Sequence, residues 1–167
     1  MIEVKIFNDG KNELPLYGTE NSAGFDLSAD FSNLKEDEEL IGENYSRSAI
    51  DNHISIHKNG RVLIPTNLFC KIPDGYELQI RPRSGLALKN GITVLNSPGT
   101  IDSDYLGNIG IILMNTSNFP FEVRQGDRIA QAVLNKVEQV TWVQVNSKEE
   151  LGNTERGEGG FGSTGKK

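Results

Sequence analysis

An all-β fold, a sandwich or barrel of short strands, is the class this chain predicts. The expectation rests on short β-type runs that recur along most of the 167 residues, on turn-forming triplets between them, and on the near absence of helical periodicity. The runs are 3–7, 25–29, 61–64, 76–80, 92–95, 109–114, 129–136 and 141–145. Between them stand Asn8-Asp9-Gly10, Lys58-Asn59-Gly60, Pro73-Asp74-Gly75, Ser97-Pro98-Gly99 and Gln125-Gly126-Asp127, which supply positive φ or a preset turn. Tyr76, Leu78 and Ile80 alternate with Glu77 and Gln79, the period-two mark of a half-buried strand. One short helix is predicted over 84–90, closed by Gly91. Trp142 alternates with Val143 and Val145 and is expected to pack in the chain or to cover a neighbouring subunit with one face.

Two segments break this rhythm. Residues 31–57 carry the acidic run Lys35-Glu36-Asp37-Glu38-Glu39 with little periodicity, and read as an insertion or extended surface loop with a solvated face. His53 and His57 within it lack zinc-site spacing and read as surface histidines. The polar stretch 146–155 reads as a linker to a glycine-rich end.

The length suits one domain able to bury a core without staples. A net charge of -6, from 17 Lys and Arg against 23 Asp and Glu, argues against a broad footprint for polymeric nucleic acid and leaves room for a small anion held by local donors. The single cysteine, Cys70, lies in an apolar run and reads as a buried thiol; without a disulfide framework, a reducing compartment fits. The N-terminus has no signal-peptide core, and the longest apolar stretch, 109–114, is far short of a membrane span, so a soluble intracellular chain without membrane contact is expected.

Several clusters bear chemistry. Asp102-Ser103-Asp104-Tyr105 crowds two carboxylates and a phenol into one connection: turn residues on one reading, a general base for water beside a ring wall on the other. Its D-x-D spacing lacks an obvious third metal ligand. Arg81-Pro82-Arg83-Ser84-Gly85 leads from a strand into the predicted helix, as a charged strand end with a capping serine or as an anion cradle. Ala23-Gly24-Phe25-Asp26-Leu27 and Gly126-Asp127-Arg128-Ile129-Ala130-Gln131 pass alone as turns entering strands. In the glycine-rich end, Gly157, Gly159 and Gly162 match G-x-G-x-x-G formally, but neither the preceding strand nor the following helix of a dinucleotide site is predicted. What remains is a flexible arm whose amides, Arg156, Ser163 and Thr164 suit phosphates, while Phe161 suits stacking on a flat ring.

Together, Ala23 to Leu27, Pro82 to Ala87, Gly99 to Gly107, Gly126 to Gln131 and 156–165 stand in the order of the motifs of the trimeric dUTP diphosphatases, which the chain resembles almost end to end. The resemblance implies a jelly-roll-like β-barrel over 1–151 with an insertion at about 31–57, a closing arm over 152–167, and a homotrimer with its sites at subunit interfaces. It further implies magnesium-assisted hydrolysis of dUTP to dUMP and diphosphate, limiting uracil in DNA and supplying dUMP for dTMP synthesis. Asp102 then matches the base that activates water for attack on the α-phosphorus, and Asp26 a residue that meets the triphosphate's Mg2+ through water. Asn96 with the backbone of Gly99, Thr100 and Ile101, paired with the returning strand near Gly110, matches the hairpin that reads uracil. Tyr105 matches the ring packed on deoxyribose. Arg83, Ser84, Gly85 and Gln131 match phosphate contacts; Arg156, Ser163 and Thr164 the grip of the arm; Phe161, beside Gly162, the ring over uracil.

The stretch from Asp26 to Ser84 is roughly twenty residues longer than the resemblance leads one to expect, and Leu106 stands where a polar or basic residue is more usual. The 31–57 insertion is thereby a candidate surface for a protein partner. Two other readings stay open: a dCTP deaminase of the same fold, which needs a proton-shuttling glutamate and lacks this arm, and a nucleotide-gated binding module acting through 31–57.

Overall fold

Ile54, Ile56, Val62 and Ile64 alternate with polar or partly exposed neighbours along the longest strand, and each is at most 1 % exposed. This period-two burial is what a strand with one face in the core requires, and each such side chain contributes about 2–3 kcal/mol of apolar burial. The computed structural model describes residues 2–48 and 52–160. In it the strands are β1 (Lys5–Asn8), β2 (Phe25–Ser28), β3 (Gly42–Ser48), β4 (His53–Pro65), β5 (Leu68–Lys71), β6 (Tyr76–Arg81), β7 (Ile92–Val94), β8 (Gly99–Ile101), β9 (Gly110–Asn115), β10 (Phe121–Arg124) and β11 (Arg128–Lys136), with one helix, α1 (Ser84–Asn90).

All pairings are antiparallel. β4 is the spine of a five-stranded sheet: β3 lies along one edge, and β10 and β9 share the other, with β7 beyond β9. A four-stranded sheet has the order β2-β11-β6-β8, and β1 pairs with β5. Consecutive strands repeatedly cross between sheets, the connectivity of a jelly roll. Their buried faces meet in one core, which Leu27 and Ile80 enter from the four-stranded sheet, Ile111 and Leu113 from the five-stranded one, and Cys70 from β5. Burial raises the pKa of the Cys70 thiol, in keeping with an inert packing role.

Several segments depart from the sequence expectation. Residues 31–57 are not one irregular loop: they contain β3 and the first turns of the β4 ladder, and Ile54 and Ile56 are core residues. The acidic run does remain at the surface, beside Arg47, which donates to the carbonyls of Lys35 and Glu38. Lys58-Asn59-Gly60 does not end a strand. Asn59 and Asn44 both take positive φ (60° and 52°) where the β3–β4 register shifts, and the Asn44 amide donates to the Lys58 carbonyl, so β4 continues through an irregularity. Finally, 141–145 forms no strand, and Trp142 is 89 % exposed. Alternation alone does not make a strand; a ladder partner for the backbone is also required, and none is given among the described residues.

The contacts divide the chain into units 1–137 and 138–167. The second contains one 3-10 turn, Lys148–Leu151, where Ser147 and Glu150 form a capping box, and an ion pair between Lys148 and Glu158.

Candidate functional site

Hydrogen-bond register brings three of the polar motifs of the first unit together. β11 pairs Gln131 with Asp26 of β2 on one side and with Arg81 of β6 on the other. Two residues past Arg81 the chain turns into α1, so Arg83 sits at the same end of the sheet. Its Nε donates to Asp26 Oδ1 at 3.0 Å, and its Nη1 donates to the Arg128 carbonyl at 2.8 Å. Arg128 Nη1 reaches Asp26 Oδ2 at 3.1 Å. Gln131 Nε2 donates to the Pro82 carbonyl at 2.9 Å, fixing the turn that presents Arg83 and the exposed Ser84 and Gly85. Arg128 completes this cluster although sequence reading singled out only its motif. An arginine one residue after Asp127 was the available signal, but its partner is set by the β2–β11 pairing. A cleft of about 610 Å³ opens beside Asp26 and Arg128, bordered also by Asn12, Gly24 and Ser28.

Helix α1 ends as expected: Gly91 adopts φ 66° and its N–H returns to the Ala87 and Leu86 carbonyls, a left-handed cap that glycine takes without penalty. Arg83 occupies the N-cap with extended backbone and no side-chain cap bond, so its guanidinium is spent on Asp26.

Asp102, Tyr105 and the 99–101 segment lie elsewhere. β8 is bonded to β6, with Gly99 opposite Ile80, Thr100 opposite Gln79 and Ile101 opposite Leu78. The expected pairing of this segment with the strand near Gly110 does not form, because Ser97-Pro98 carries the chain out of the five-stranded sheet; β9, beginning at Gly110, pairs with β4 and β7. Asn96 is exposed in that crossover. Asp102 is exposed just beyond Ile101, and its carbonyl accepts from the Tyr105 N–H at 3.1 Å. The Tyr105 hydroxyl donates to the Asn108 carbonyl at 2.9 Å. A Cβ on Gly107 would lie 2.4 Å from that hydroxyl, so glycine is what lets the ring fold back.

Asp102 and the Asp26–Arg83–Arg128 cluster therefore occupy opposite corners of the four-stranded sheet. From the level of Glu77, where β8 leads, to Arg81 is about 13 Å along β6, and β8 to β2 is about 14 Å across. One chain does not bring the two groups together.

Arg156 lies in the second unit, where its Nε donates to the Gly159 carbonyl at 2.8 Å. Phe161, Gly162, Ser163 and Thr164 lie outside the described residues. No group of three or more His, Cys, Asp or Glu suited to a metal occurs among the described residues. Asp26 has both oxygens engaged by arginines, which suits contact with a hydrated ion and not direct ligation.

Comparison with known proteins places these residues in a family. The family model for dUTPase matches residues 47–165. The chain is 47 % identical over 165 residues to the deoxyuridine 5'-triphosphate nucleotidohydrolase of Fusobacterium nucleatum, covering 99 % of this chain and 98 % of that one. It is 48 % identical over 163 residues to the enzyme of the same name from Cytophaga hutchinsonii, covering 98 % and 92 %. Among solved structures, the dUTPase of Staphylococcus bacteriophage 80alpha with dUPNHPP superposes with a TM-score of 0.77 over 99 % of both chains at 22 % identity, a likeness of fold. An all-β fold of the dUTPase type, the match of the dUTPase family model and full-length similarity to named nucleotidohydrolases agree: the chain belongs to the dUTPase family.

Proposed function

We propose that this chain hydrolyses dUTP to dUMP and diphosphate, in sites assembled between copies of itself in a homotrimer. The observation that carries the reading is the separation within one chain of an exposed carboxylate, Asp102, from a cationic cluster built by Arg83 and Arg128 around Asp26. Each half alone lacks what phosphoryl transfer needs, and apposition of two copies supplies both.

In the assembled site, Arg83, Gln131 and the exposed Ser84 and Gly85 hold the phosphates, with Asp26 keeping the Arg83 guanidinium aimed. Asp102 takes a proton from water as its oxygen bonds to the α-phosphorus. The bond from that phosphorus to the bridging oxygen breaks, and diphosphate leaves with the electron pair. Asp26 would meet the water shell of a magnesium ion bound to the triphosphate, and that ion would supply neutralisation of phosphate charge. Asn96 and the backbone of 99–101 read the uracil edge, since fixed donors and acceptors reject cytosine by about 10⁴ when its pattern is exchanged. Tyr105 covers the deoxyribose and leaves no room for a 2′-hydroxyl. The arm, through Arg156, Ser163 and Thr164, grips the terminal phosphate while Phe161 stacks over the base and Gly162 gives the backbone close approach.

No helix among the described residues is long and apolar enough to cross a membrane, and the buried free thiol of Cys70 suits a reducing interior. We place the reaction in intracellular solution on that support. The 31–57 region, with its exposed acidic run beside β3, is the surface we assign to any protein partner. The deciding assay incubates the protein with Mg2+ and dUTP, dCTP or dTTP in turn, measuring diphosphate and ammonia separately. Diphosphate from dUTP alone is the expected result; ammonia from dCTP, or no turnover of dUTP, overturns the reading.

A further inference from the structure

We propose that Asn67 and Asn108 are positioning residues that set the pose of the Tyr105 ring, through a line of hydrogen bonds running from the buried Asp30 carboxylate to the Tyr105 hydroxyl. This rests on the reading of Tyr105 as the wall that excludes ribose.

The line starts from a fixed anion. Asp30 is fully buried and accepts at Oδ2 from the Lys11 and Asn12 amides and at Oδ1 from the Ser32 amide and hydroxyl. An ionised carboxylate only accepts, so it dictates which end of the neighbouring amide faces it. Asn67 Nδ2 faces Asp30, donating to its Oδ1 at 3.2 Å and its carbonyl at 3.3 Å. Asn67 Oδ1 is thereby turned away, and it accepts from Asn108 Nδ2 at 3.1 Å. Asn108 then offers its carbonyl to the Tyr105 hydroxyl at 2.9 Å. The backbone around these amides is gripped on both sides: Thr66 Oγ1 donates to the Ile109 carbonyl at 2.7 Å, and the Ile109 N–H donates to the Leu68 carbonyl at 2.9 Å.

Two features argue that the amides serve orientation. Asn67 holds φ 53°, which glycine adopts more easily, so the backbone alone does not call for this side chain. Asn108 Oδ1 is buried without a partner among the described residues, a cost that a smaller side chain would avoid. The gain from both is a fixed carbonyl at 108, and with it a ring held over Gly107 at the exposed end of the Asp102 turn.

The test is a double-mutant cycle read as the ratio of kcat/KM for dUTP to that for UTP, with thermal melting alongside. Asn67→Gly keeps the backbone and removes the amide; Tyr105→Phe keeps the ring and removes its anchor. Each is expected to lower the ratio about three- to tenfold, the scale of one neutral hydrogen bond, and Asn67→Gly added to Tyr105→Phe to change it less than about twofold further. Asn108→Ala cuts the line at its other link and repeats the reading if Asn67→Gly does not fold. A ratio unchanged in the folded variants, with both substrates slowed alike or only the melting temperature lowered, overturns the positioning role. Wild-type protein that fails to hydrolyse dUTP, or takes UTP equally well, overturns the reading of the site itself and this role with it.

Discussion

Arg83 and Asp26, 57 residues apart in sequence, meet through a 3.0 Å bond from Nε to Oδ1, and Arg128 holds the other carboxylate oxygen at 3.1 Å. All three side chains are partly exposed, Arg128 most of all, so the cluster is worth little to folding, about 0–1 kcal/mol for each such pair. Its value lies in aim: without Asp26 the two guanidiniums lose the group that spaces and orients them.

Asp26→Asn is accordingly expected to lower kcat/KM for magnesium-bound dUTP by about 10- to 100-fold, the scale of a lost charge-assisted hydrogen bond, while the melting temperature moves by no more than a few degrees. Steady-state kinetics and calorimetry on the same preparation check both halves. Unchanged kinetics would show that Arg83 is positioned without its carboxylate partner.

Asp30 gives the opposite profile, a stability role with a pH signature. Burial pushes its pKa up, but hydrogen bonds from the Ser32 side chain and backbone and the Asn12 backbone outweigh it, and the pKa falls from 3.8 to about 2. A depressed carboxylate stabilises the fold fully above its unfolded pKa, and that contribution is lost as pH falls through the folded value. The wild-type melting temperature should therefore drop between about pH 4 and pH 2, by an amount equivalent to about 2 kcal/mol. Asp30→Asn should be destabilised at neutral pH and show a shallower drop across the same window; parallel curves would place the acid sensitivity elsewhere.

How far these features were legible in the sequence depends on where their causes lie. Helix α1 was readable because Gly91 supplies its own left-handed cap, and β6 because Leu78 and Ile80 alternate with Glu77 and Gln79. β3 was not, since Gly-Glu-Asn-Tyr-Ser-Arg-Ser has no apolar stripe and is a strand only through its pairing with β4. The 141–145 run failed in the reverse sense, having the side chains of a strand without a ladder among the described residues. Motif order put Asp26, Arg83 and Gln131 among the expected site residues, and strand register explains why these three lie together. Neither the Arg128–Asp26 pair nor the Asn67–Asn108 bond, 41 residues apart, leaves any local trace, because each depends on strands brought together by the fold.

Among the described residues, every member of the buried core lies before residue 138. Ending the chain after Asn153 should therefore leave the melting temperature and the number of chains in the assembly unchanged while turnover falls about 10²-fold, the scale of lost substrate positioning. Calorimetry, native mass measurement and a dUTP assay decide it. A lower melting temperature or an assembly of fewer chains would make the arm structural.

The opposite-corner placement of Asp102 and the arginine cluster leads to the most demanding test. Asp102→Asn chains should fold and bind dUTP yet turn over about 10²–10⁴ times more slowly, because they keep the shape and lose the base. Chains ended after Asn153 keep the base and lack the arm. Neither variant on its own should then exceed about 1 % of the intact turnover. Unfolding the two variants together and refolding them should yield mixed assemblies, in which, on the proposed homotrimer, a sound arm from one chain can close over the Asp102 of another. Activity well above the sum of the separate preparations is expected if each site draws on several chains. If an arm serves only the Asp102 of its own chain, no mixture holds an intact site, and activity stays at the level of the parents even when mass measurement confirms that mixed trimers formed.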